Sequence, residues 1–470
     1  MLIHGAVLFR LVSGFCNVIR VAKSLMKGLC LMLGGFRSLV ARSLRLDLIV
    51  VAYIFVLDVG NGDSILVLEG MESVSSKLNE DSGVRLTPIP TWTAHTSHKE
   101  LHLEDGWFWR SPFNAADLTP DISTNGWAQV RIPFEYERQG LVISNVAGLS
   151  RAFYVPKDWG DARVKVRFEA VNNVVSLSVN GRKVGRYDGF LLPFEFDVTE
   201  YLMFGQTNIV LIELNEGGVA ARLADRLRQG GVIRRVTVFS VPKVNLSQVY
   251  QETEFDGAYR NSTLRIAVRV SNDQLSEAKS YRLRWELEDP SGKMVDLRKF
   301  SLEVPEMPAL SSTNLEFAIS IADPEKWDPE HPRLYRLKTF LDSSNGAVES
   351  LDRRIGFRQV EIVGDQVKLN GKPIKIRGIV RFDQYGDQGS AVPEVVDIAD
   401  PVIFRNANCN YLRSWPSSDS FYDSCDEAGL LVQGELPISF QREVPAGSSA
   451  DFLRIAEENL AGSSSLSVGQ

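Results

Sequence analysis

At 470 residues the chain is too long for a single hydrophobic core, and a usual domain size of about 100 to 200 residues predicts about three domains. Hydrophobic residues make up 44% and charged residues 24%, a balance typical of folded globular proteins, which argues against extensive disorder. The net charge of -7 gives no electrostatic reason to expect a nucleic-acid partner.

The cysteines and histidines indicate neither a disulfide framework nor a metal site. The four cysteines are too few and too unevenly spaced for either a disulfide framework or a CxxC zinc site. No HExxH arrangement occurs among the five histidines, and His98 and His102, four residues apart, have no third ligand nearby. We therefore expect no catalytic metal and no cofactor.

The N-terminal segment differs from the rest of the chain. Up to Arg45 it carries seven Arg or Lys residues and no Asp or Glu. Its composition is similar to that of a transit peptide, whereas the apolar run 48–57 is shorter than the ~20 residues of a membrane span. Residues 1–94 are interpreted as a leader and linker. Two hypotheses stay open, a targeting segment or an unfolded extension, so the localisation is undetermined.

Residues 95–242 are predicted to form an antiparallel β-sandwich. Short runs of alternating apolar residues, for example over 164–168, are separated by turn signals. Asn180-Gly181, between two such runs, is a strong signal for a tight β-hairpin.

Residues 243–358 repeat this alternation and predict a second sandwich. Apolar residues alternate over 264–270 and again over 281–287, and the turn residues Asp289 to Gly292 follow. The length and the spacing of the turns are typical of an immunoglobulin-like sandwich without the cysteine pair of antibody domains.

The pattern changes again over residues 359–470, where strands and helices alternate. Predicted strands cover 374–380, 411–415 and 430–436, and predicted helices cover 395–406, 420–428 and 451–460. Alternating strands and helices indicate parallel strands joined by right-handed crossovers. We expect the start of an α/β barrel that includes about three of the usual eight strands.

Several segments at the joints of these domains resemble, in order and spacing, the motifs of glycoside hydrolase family 2, the β-galactosidases, β-glucuronidases and β-mannosidases. The segments are Gly230-Gly231-Val232-Ile233-Arg234, Trp327–Tyr335, Arg354–Arg358, Leu369–Pro373, Arg377-Gly378, Tyr411–Trp415 and Phe421–Leu430. The resemblance implies a mainly β protein composed of a jelly-roll sugar-binding sandwich, an immunoglobulin-like sandwich and an incomplete TIM barrel.

The resemblance also implies a reaction, retaining hydrolysis of β-glycosides by two glutamates. In the family these glutamates follow the fourth and seventh barrel strands, and neither has a counterpart in this chain. We therefore expect a carbohydrate partner, no catalytic residue within the chain, and no hydrolysis if the missing strands are truly absent.

Candidate substrate-binding residues lie where barrel strands end. Arg413, Trp415 and Glu435 are placed to face a substrate pocket at the carboxyl ends of the strands. An arginine can hold a hydroxyl or a carboxylate and an indole can stack on a sugar. Glu435 matches the third strand and is interpreted as a carboxylate that either orients the substrate or supports the residues that contact it. In the alternative interpretation, Arg413 only pairs with Glu435.

Three further candidates come from the resemblance. Arg381 and Asp383 fit the family's run after the first strand, whereas Val380 and Phe382 depart from it and weaken a galactosidase assignment. Asp225 stands six residues before Gly231, as does an aspartate that the galactosidase sandwich lends to the sugar. The alternative is that Asp225 is a solvated loop residue.

Two rival functions remain open at this point. One is a non-catalytic carbohydrate-binding or partner-binding module with an exposed aromatic platform, and the other is a fragment of a longer gene product. Candidates for the platform, which are otherwise sandwich core, are Trp107, Trp109, Trp127 and Trp159.

Overall fold

The structure is a computed structural model, and two units are distinguished in the chain: residues 1–76 with 362–367, and residues 77–361 with 368–470. It describes residues 98–435, apart from 173, 189–190, 216–229 and 298–300, together with the backbone of strands at 53–59, 63–69 and 84–85. Most of the predicted leader and the predicted helix at 451–460 lie outside the described residues. No helix within these ranges is long and apolar enough to cross a membrane.

The first unit contains one described hairpin. Strands β1 (Tyr53–Val59) and β2 (Asp63–Glu69) pair antiparallel, with Tyr53 opposite Glu69. All further elements belong to the second unit, except that residues 362–367 contribute to two short strands named below.

The first sandwich forms two antiparallel sheets. Its strands are β3 (Val84–Arg85), β4 (Glu100–His102), β5 (Trp107–Arg110), β6 (Ala128–Val130), β7 (Phe134–Glu135), β8 (Val146–Val155), β9 (Arg163–Phe168), β10 (Val174–Val179), β11 (Arg182–Asp188), β12 (Phe194–Asp197), β13 (Gln206–Asn215), β14 (Gly231–Val232) and β15 (Val236–Val241). One sheet has the order β11-β10-β13-β8-β5-β6 and the other β3-β12-β9-β15-β4, while β7 pairs with β14. The predicted sandwich is confirmed.

The sequence signals of this sandwich have clear structural counterparts. Asn180 and Gly181 take φ values of 49° and 74°, the left-handed conformation of a two-residue hairpin turn. Trp107, Trp109 and Trp159 are buried in the core between the sheets, at 0%, 4% and 3% exposure. The core interpretation therefore holds for these three tryptophans.

The second sandwich has the seven strands expected of an immunoglobulin-like domain. They are β16 (Val244–Phe255), β17 (Ser262–Asn272), β18 (Tyr281–Glu288), β19 (Ser301–Val304), β20 (Ser311–Ile321), β21 (Tyr335–Ser343) and β22 (Gly346–Ile355). Sheets β16-β17-β20 and β19-β18-β21-β22 enclose a separate apolar core. Both predicted runs of alternation, over 264–270 and 281–287, lie in central strands of these sheets.

The last part alternates strands and helices. Its elements are β23 (Val360–Val363), β24 (Gln366–Leu369), β25 (Lys372–Pro373), β26 (Gly378–Arg381), α1 (Glu394–Asn406), β27 (Tyr411–Ser414), α2 (Asp419–Ala428) and β28 (Leu431–Gly434). Strands β26, β27 and β28 are parallel neighbours in that order. The described residues thus contain three strands of a barrel that is not closed among them, as predicted.

Helix α2 is defined at both ends. The Ser418 hydroxyl accepts a hydrogen bond from the Phe421 amide at 3.2 Å, a helix N-cap. Gly429 ends the helix at φ 78°, and a Cβ at this position would lie 2.4 Å from the Pro329 carbonyl oxygen. Only glycine satisfies both the backbone angle and this close approach to the second sandwich.

Replacement of Gly429 by alanine is expected to destabilise the protein by about 2 to 5 kcal/mol, because the strained backbone and the clash with Pro329 add. Gly140 is the matched control, since it has φ 70° but a Cβ there would have nothing within 4 Å, so Gly140→Ala should cost only about 1 to 2 kcal/mol. Urea unfolding of both variants measures the difference. Equal losses would contradict the proposed close packing.

A second prediction concerns Asp426 on α2, which is 7% exposed. Burial raises the pKa of Asp426 to about 8, although Arg358 opposes the shift. Because an unfolded aspartate titrates near 3.9, the folded state retains a proton that the unfolded state releases between about pH 4 and pH 8, so stability falls as the pH rises.

Asp426→Asn removes this titration. The stability of the variant relative to the wild type should increase by about 1.4 kcal/mol per pH unit between pH 5 and pH 7. Urea unfolding at pH 5, 6 and 7 gives the two profiles, and parallel profiles would refute the prediction.

Candidate functional site

The carboxyl ends of β26, β27 and β28 form one edge of the parallel sheet. Paired residues of a sheet point to the same face, and the register pairs Val380 with Arg413 and Arg413 with Gln433. The Arg413 guanidinium donates to the Glu435 carboxylate at 2.8 Å, and the Glu435 amide donates to the Ser414 carbonyl at 2.8 Å. The side chain of Arg413 is 47% exposed, so it can also donate to a ligand.

Two aromatic residues differ in their access to this edge. Trp415 is only 3% exposed, and its carbonyl accepts from the hydroxyls of Ser414 and Ser417. Phe382, which follows β26, is 53% exposed. The predicted stacking of a sugar on Trp415 has no exposed ring face in this arrangement. Phe382 offers such a face, although its sequence signal was only a departure from the family pattern.

Arg381 is the centre of a buried cluster of charges. Its side chain is 4% exposed and donates to Asp383 at 2.5 Å, to Asp397 at 2.6 Å and to Asp400 at 2.8 Å. Its guanidinium also lies 4.4 Å from the ring centre of Phe421. Burial opposes the positive charge, but Asp383 and Asp397 outweigh it and raise the pKa of Arg381.

Asp383 joins this cluster to the first sandwich. Its carboxylate accepts from Arg381, from the Ser417 hydroxyl at 3.1 Å, and from Arg234 at 2.8 Å. Arg234 belongs to the sandwich and is 8% exposed. The structure therefore brings Arg381 and Asp383 together, but these hydrogen bonds join them to each other and to further protein groups.

A polar cleft of about 1060 Å³ lies between the first sandwich and the N-terminal ends of α1 and α2. Arg167 donates to Asp419 at 3.2 Å across it, and Arg235 donates to Glu394 at 2.7 Å. The hydrogen bond from the Ser420 hydroxyl lowers the pKa of Glu394, and the positive charge of Arg235 lowers it further. These pairs fasten both helix starts to the sandwich.

Glu169, another carboxyl group in the cleft, has its pKa shifted upward, opposite to that of Glu394. Burial raises the pKa of Glu169, although Arg167 and Arg235 oppose the shift. The cleft is lined by charges of both signs. It is a polar interface between the sandwich and the barrel part, and Arg413 is not among the residues that line it.

The two histidines that stand four residues apart in the sequence do not share a site. Asp225 lies outside the described residues. His98 pairs with Glu349 at 2.5 Å, while His102 contacts Thr237 at 3.2 Å, so the two histidines have different partners. Within the described ranges, no group of three or more potential metal ligands is found.

Sequence reasoning missed the roles of Arg234 and Glu135. Glu135 is 2% exposed and accepts from the amide of Ser390, in the loop between β26 and α1. The signal for Arg234 was present, because it is the last residue of the Gly-Gly-Val-Ile-Arg segment. Nothing in the pattern around Glu135 distinguishes it from an exposed strand residue.

Comparison with known proteins gives three family matches. "Glycosyl hydrolases family 2, sugar binding domain" matches residues 111–242, "Glycosyl hydrolases family 2" matches 244–358, and "Glycosyl hydrolases family 2, TIM barrel domain" matches 360–455. Together these matches cover most of the chain.

Curated relatives include two β-galactosidases. The enzyme of Aeromonas hydrophila is 30% identical over 358 residues, which are 74% of this chain and 34% of the relative. That of Pseudoalteromonas haloplanktis is 29% identical over 336 residues, 69% of this chain and 31% of the relative. The chain thus spans about a third of the length of the curated relatives it matches.

Solved structures show the same fold at lower identity. A β-glucuronidase of Bacteroides uniformis superposes with a TM-score of 0.71 at 22% identity, covering 79% of this chain and 46% of that one. A putative β-galactosidase of Bacteroides fragilis gives a TM-score of 0.67 at 19% identity, over 79% of this chain and 57% of that one.

The burial of the two arginines predicts different effects of the same substitution. Arg381→Met should cost about 3 to 5 kcal/mol, because it leaves buried carboxylates without their cation. Arg413→Met should cost less, about 1 to 2 kcal/mol, since Arg413 itself is 47% exposed and only one largely buried carboxylate, that of Glu435, loses this partner. Urea unfolding of both variants tests this, and similar losses would show that Arg381 is not the centre of the cluster.

Proposed function

Because the chain belongs to glycoside hydrolase family 2, we propose that it serves in the hydrolysis of β-glycosides and contributes sugar-binding groups at the carboxyl ends of β26, β27 and β28. The observation that carries this proposal is the half-exposed Arg413, which pairs with Glu435 at the sheet edge where the 53% exposed Phe382 follows β26. A charged hydrogen-bond donor and an exposed aromatic residue at one edge are suited to a sugar, which has hydroxyls at its rim and C–H groups on its faces.

The proposed reaction is a double displacement. One carboxylic acid protonates the leaving oxygen while a second carboxylate, ~5 Å away, attacks the anomeric carbon, and water then hydrolyses the glycosyl-enzyme. The carboxylate of Glu435 is 9% exposed and accepts from Arg413, so it is better placed to orient Arg413 than to attack a sugar. Asp383 accepts from three donors and is excluded on similar grounds.

We therefore assign both reacting carboxylates to barrel strands other than β26, β27 and β28. The described residues then bind and orient the substrate, with Arg413 as the contact to a ring hydroxyl or to the carboxylate of a glucuronide. Arg381 and Asp383 stabilise this edge through their buried hydrogen bonds to α1 and to the first sandwich.

The alternative function, a carbohydrate-binding module without chemistry, loses its main candidates. Trp107, Trp109 and Trp159 are buried, and Trp127 is half-buried against Phe113. Among the described tryptophans named as candidates, none forms an exposed platform.

Two measurements test the proposal on a polypeptide of these 470 residues. Ligand-observed NMR with a β-galactoside, a β-glucuronide and a β-mannoside should detect binding of at least one glycoside. Arg413→Met should weaken it about 10-fold or more, because a charged hydrogen bond contributes about 1.5 to 3 kcal/mol. Arg333→Met, which removes a similarly exposed arginine of the second sandwich, is the control and should leave binding unchanged.

Turnover of the matching chromogenic glycosides should be negligible, because the proposal assigns both reacting carboxylates to other strands. Acid-base assistance alone accelerates such a reaction about 10²- to 10⁴-fold. Turnover typical of a glycosidase would show that the reacting carboxylates lie within these 470 residues. Absence of binding to all three glycosides would overturn the proposed sugar site.

A further inference from the structure

The Gly-Gly-Val-Ile-Arg segment has a closely packed backbone before its arginine. Gly231 takes φ 142°, and a Cβ there would lie 2.2 Å from the carbonyl oxygen of Phe134. The amides of Ile233 and Arg234 both donate to the Ala170 carbonyl, at 3.2 and 3.4 Å. The backbone before the Arg234 side chain is therefore held on two sides.

The Arg234 side chain makes three contacts, of which two belong to the barrel part. It donates to the Leu191 carbonyl at 3.3 Å within the sandwich, to the Asp383 carboxylate at 2.8 Å, and to the Pro416 carbonyl. Asp383 lies in the loop after β26, and Pro416 lies in the loop after β27. One guanidinium thus bridges two consecutive loops at the carboxyl ends of the strands.

The groups of the proposed sugar site lie within these loops or close before them. Phe382 directly precedes Asp383, and Arg413 stands at the end of β27, three residues before Pro416. We propose that Arg234 is a positioning residue, which the sugar-binding sandwich supplies to fix the separation of the first and second barrel loops and thereby the placement of Phe382 relative to Arg413. Its consequence for sugar binding rests on the proposed function, whereas its effect on the loops does not.

The chemistry of the contacts requires an arginine. The guanidinium has a planar fork that reaches a carboxylate and a carbonyl at once, whereas a lysine has a single compact charge. Asp383 keeps two other donors, Arg381 and Ser417, when Arg234 is removed. Loss of Arg234 should therefore loosen the two loops without leaving a buried carboxylate unpaired.

Hydrogen–deuterium exchange followed by mass spectrometry tests the proposal on the full chain. In Arg234→Met, peptides covering 383–391 and 415–418 should exchange about 10-fold faster or more, because their amides open locally. Peptides covering 164–168 and 236–241 should be unchanged. Arg234→Lys should retain the charge at Asp383 and so protect the first loop, while the second loop, which loses the contact to Pro416, should exchange faster.

Arg235→Met is the matched control. Arg235 is the next residue and also reaches the barrel part, but its partner is Glu394 at the start of α1. This variant should leave 415–418 unchanged. Uniformly faster exchange in both Arg234 variants would show a merely structural role, and unchanged loops would overturn the proposal.

The binding assay separates this proposal from the proposed function. If the wild type binds a β-glycoside, Arg234→Met should weaken the binding about 10-fold or more while Arg235→Met does not, and equal affinities would refute the effect on the sugar site. If the wild type binds no glycoside but the two loops still exchange faster, the proposed function fails and the positioning role stands.

Discussion

The organisation of the barrel strands depends on one buried constraint, the set of ion pairs around Arg381. A guanidinium that is 4% exposed is tolerated only where carboxylates surround it, and here Asp383, Asp397 and Asp400 do so. Asp397 lies on α1 and Asp383 contacts both Ser417 and Arg234. The first strand, its helix, the following loop and the sandwich are therefore fixed relative to one another by a single cation and its partners.

Pairing of a buried cation with carboxylates also explains why part of the outer face of the first sandwich is buried. Alternation along β9 predicts that Val164, Val166 and Phe168 are buried and that the residues between them face water. The structure buries Arg167 as well, at 3% exposure, because it meets Asp419 at the start of α2. Charged residues can occupy a buried interface of this kind when their partners come from the opposing domain.

The local signals of the sequence predicted the elements well. Helix α1 was expected over 395–406 and is found over Glu394–Asn406, and the Asn180-Gly181 turn has the expected left-handed angles. Periodicity and turn residues act within a few positions of the chain, so they determine elements of this kind. The passage from sandwich to barrel strands followed because the period changes there, whereas the two sandwiches share the same alternation.

The site was harder to predict because its contacts join distant segments. Arg234 and Asp383 are 149 positions apart, and no local pattern specifies that they meet. The resemblance to the family selected Arg381 and Asp383 as substrate contacts, but in the structure their contacts are to other protein groups. Exposure, which the sequence does not contain, distinguishes Phe382 at 53% from Trp415 at 3%.

At the carboxyl ends of β26 and β27, strand geometry separates the residues that form buried ion pairs from the residues that are exposed to a ligand. Side chains alternate between the faces of a strand, so residues of opposite parity are directed to different surroundings. Around the end of β26, Arg381 is buried toward α1, whereas Val380 and Phe382 are 45% and 53% exposed. In β27 the same alternation buries Leu412 and Ser414 and leaves Arg413 half exposed. The groups that fasten the strands and the groups available to a ligand therefore alternate along the chain, and a residue at the exposed parity can change without loss of the buried ion pairs. This division allows the ligand-facing residues of a barrel edge to vary while its fold is kept.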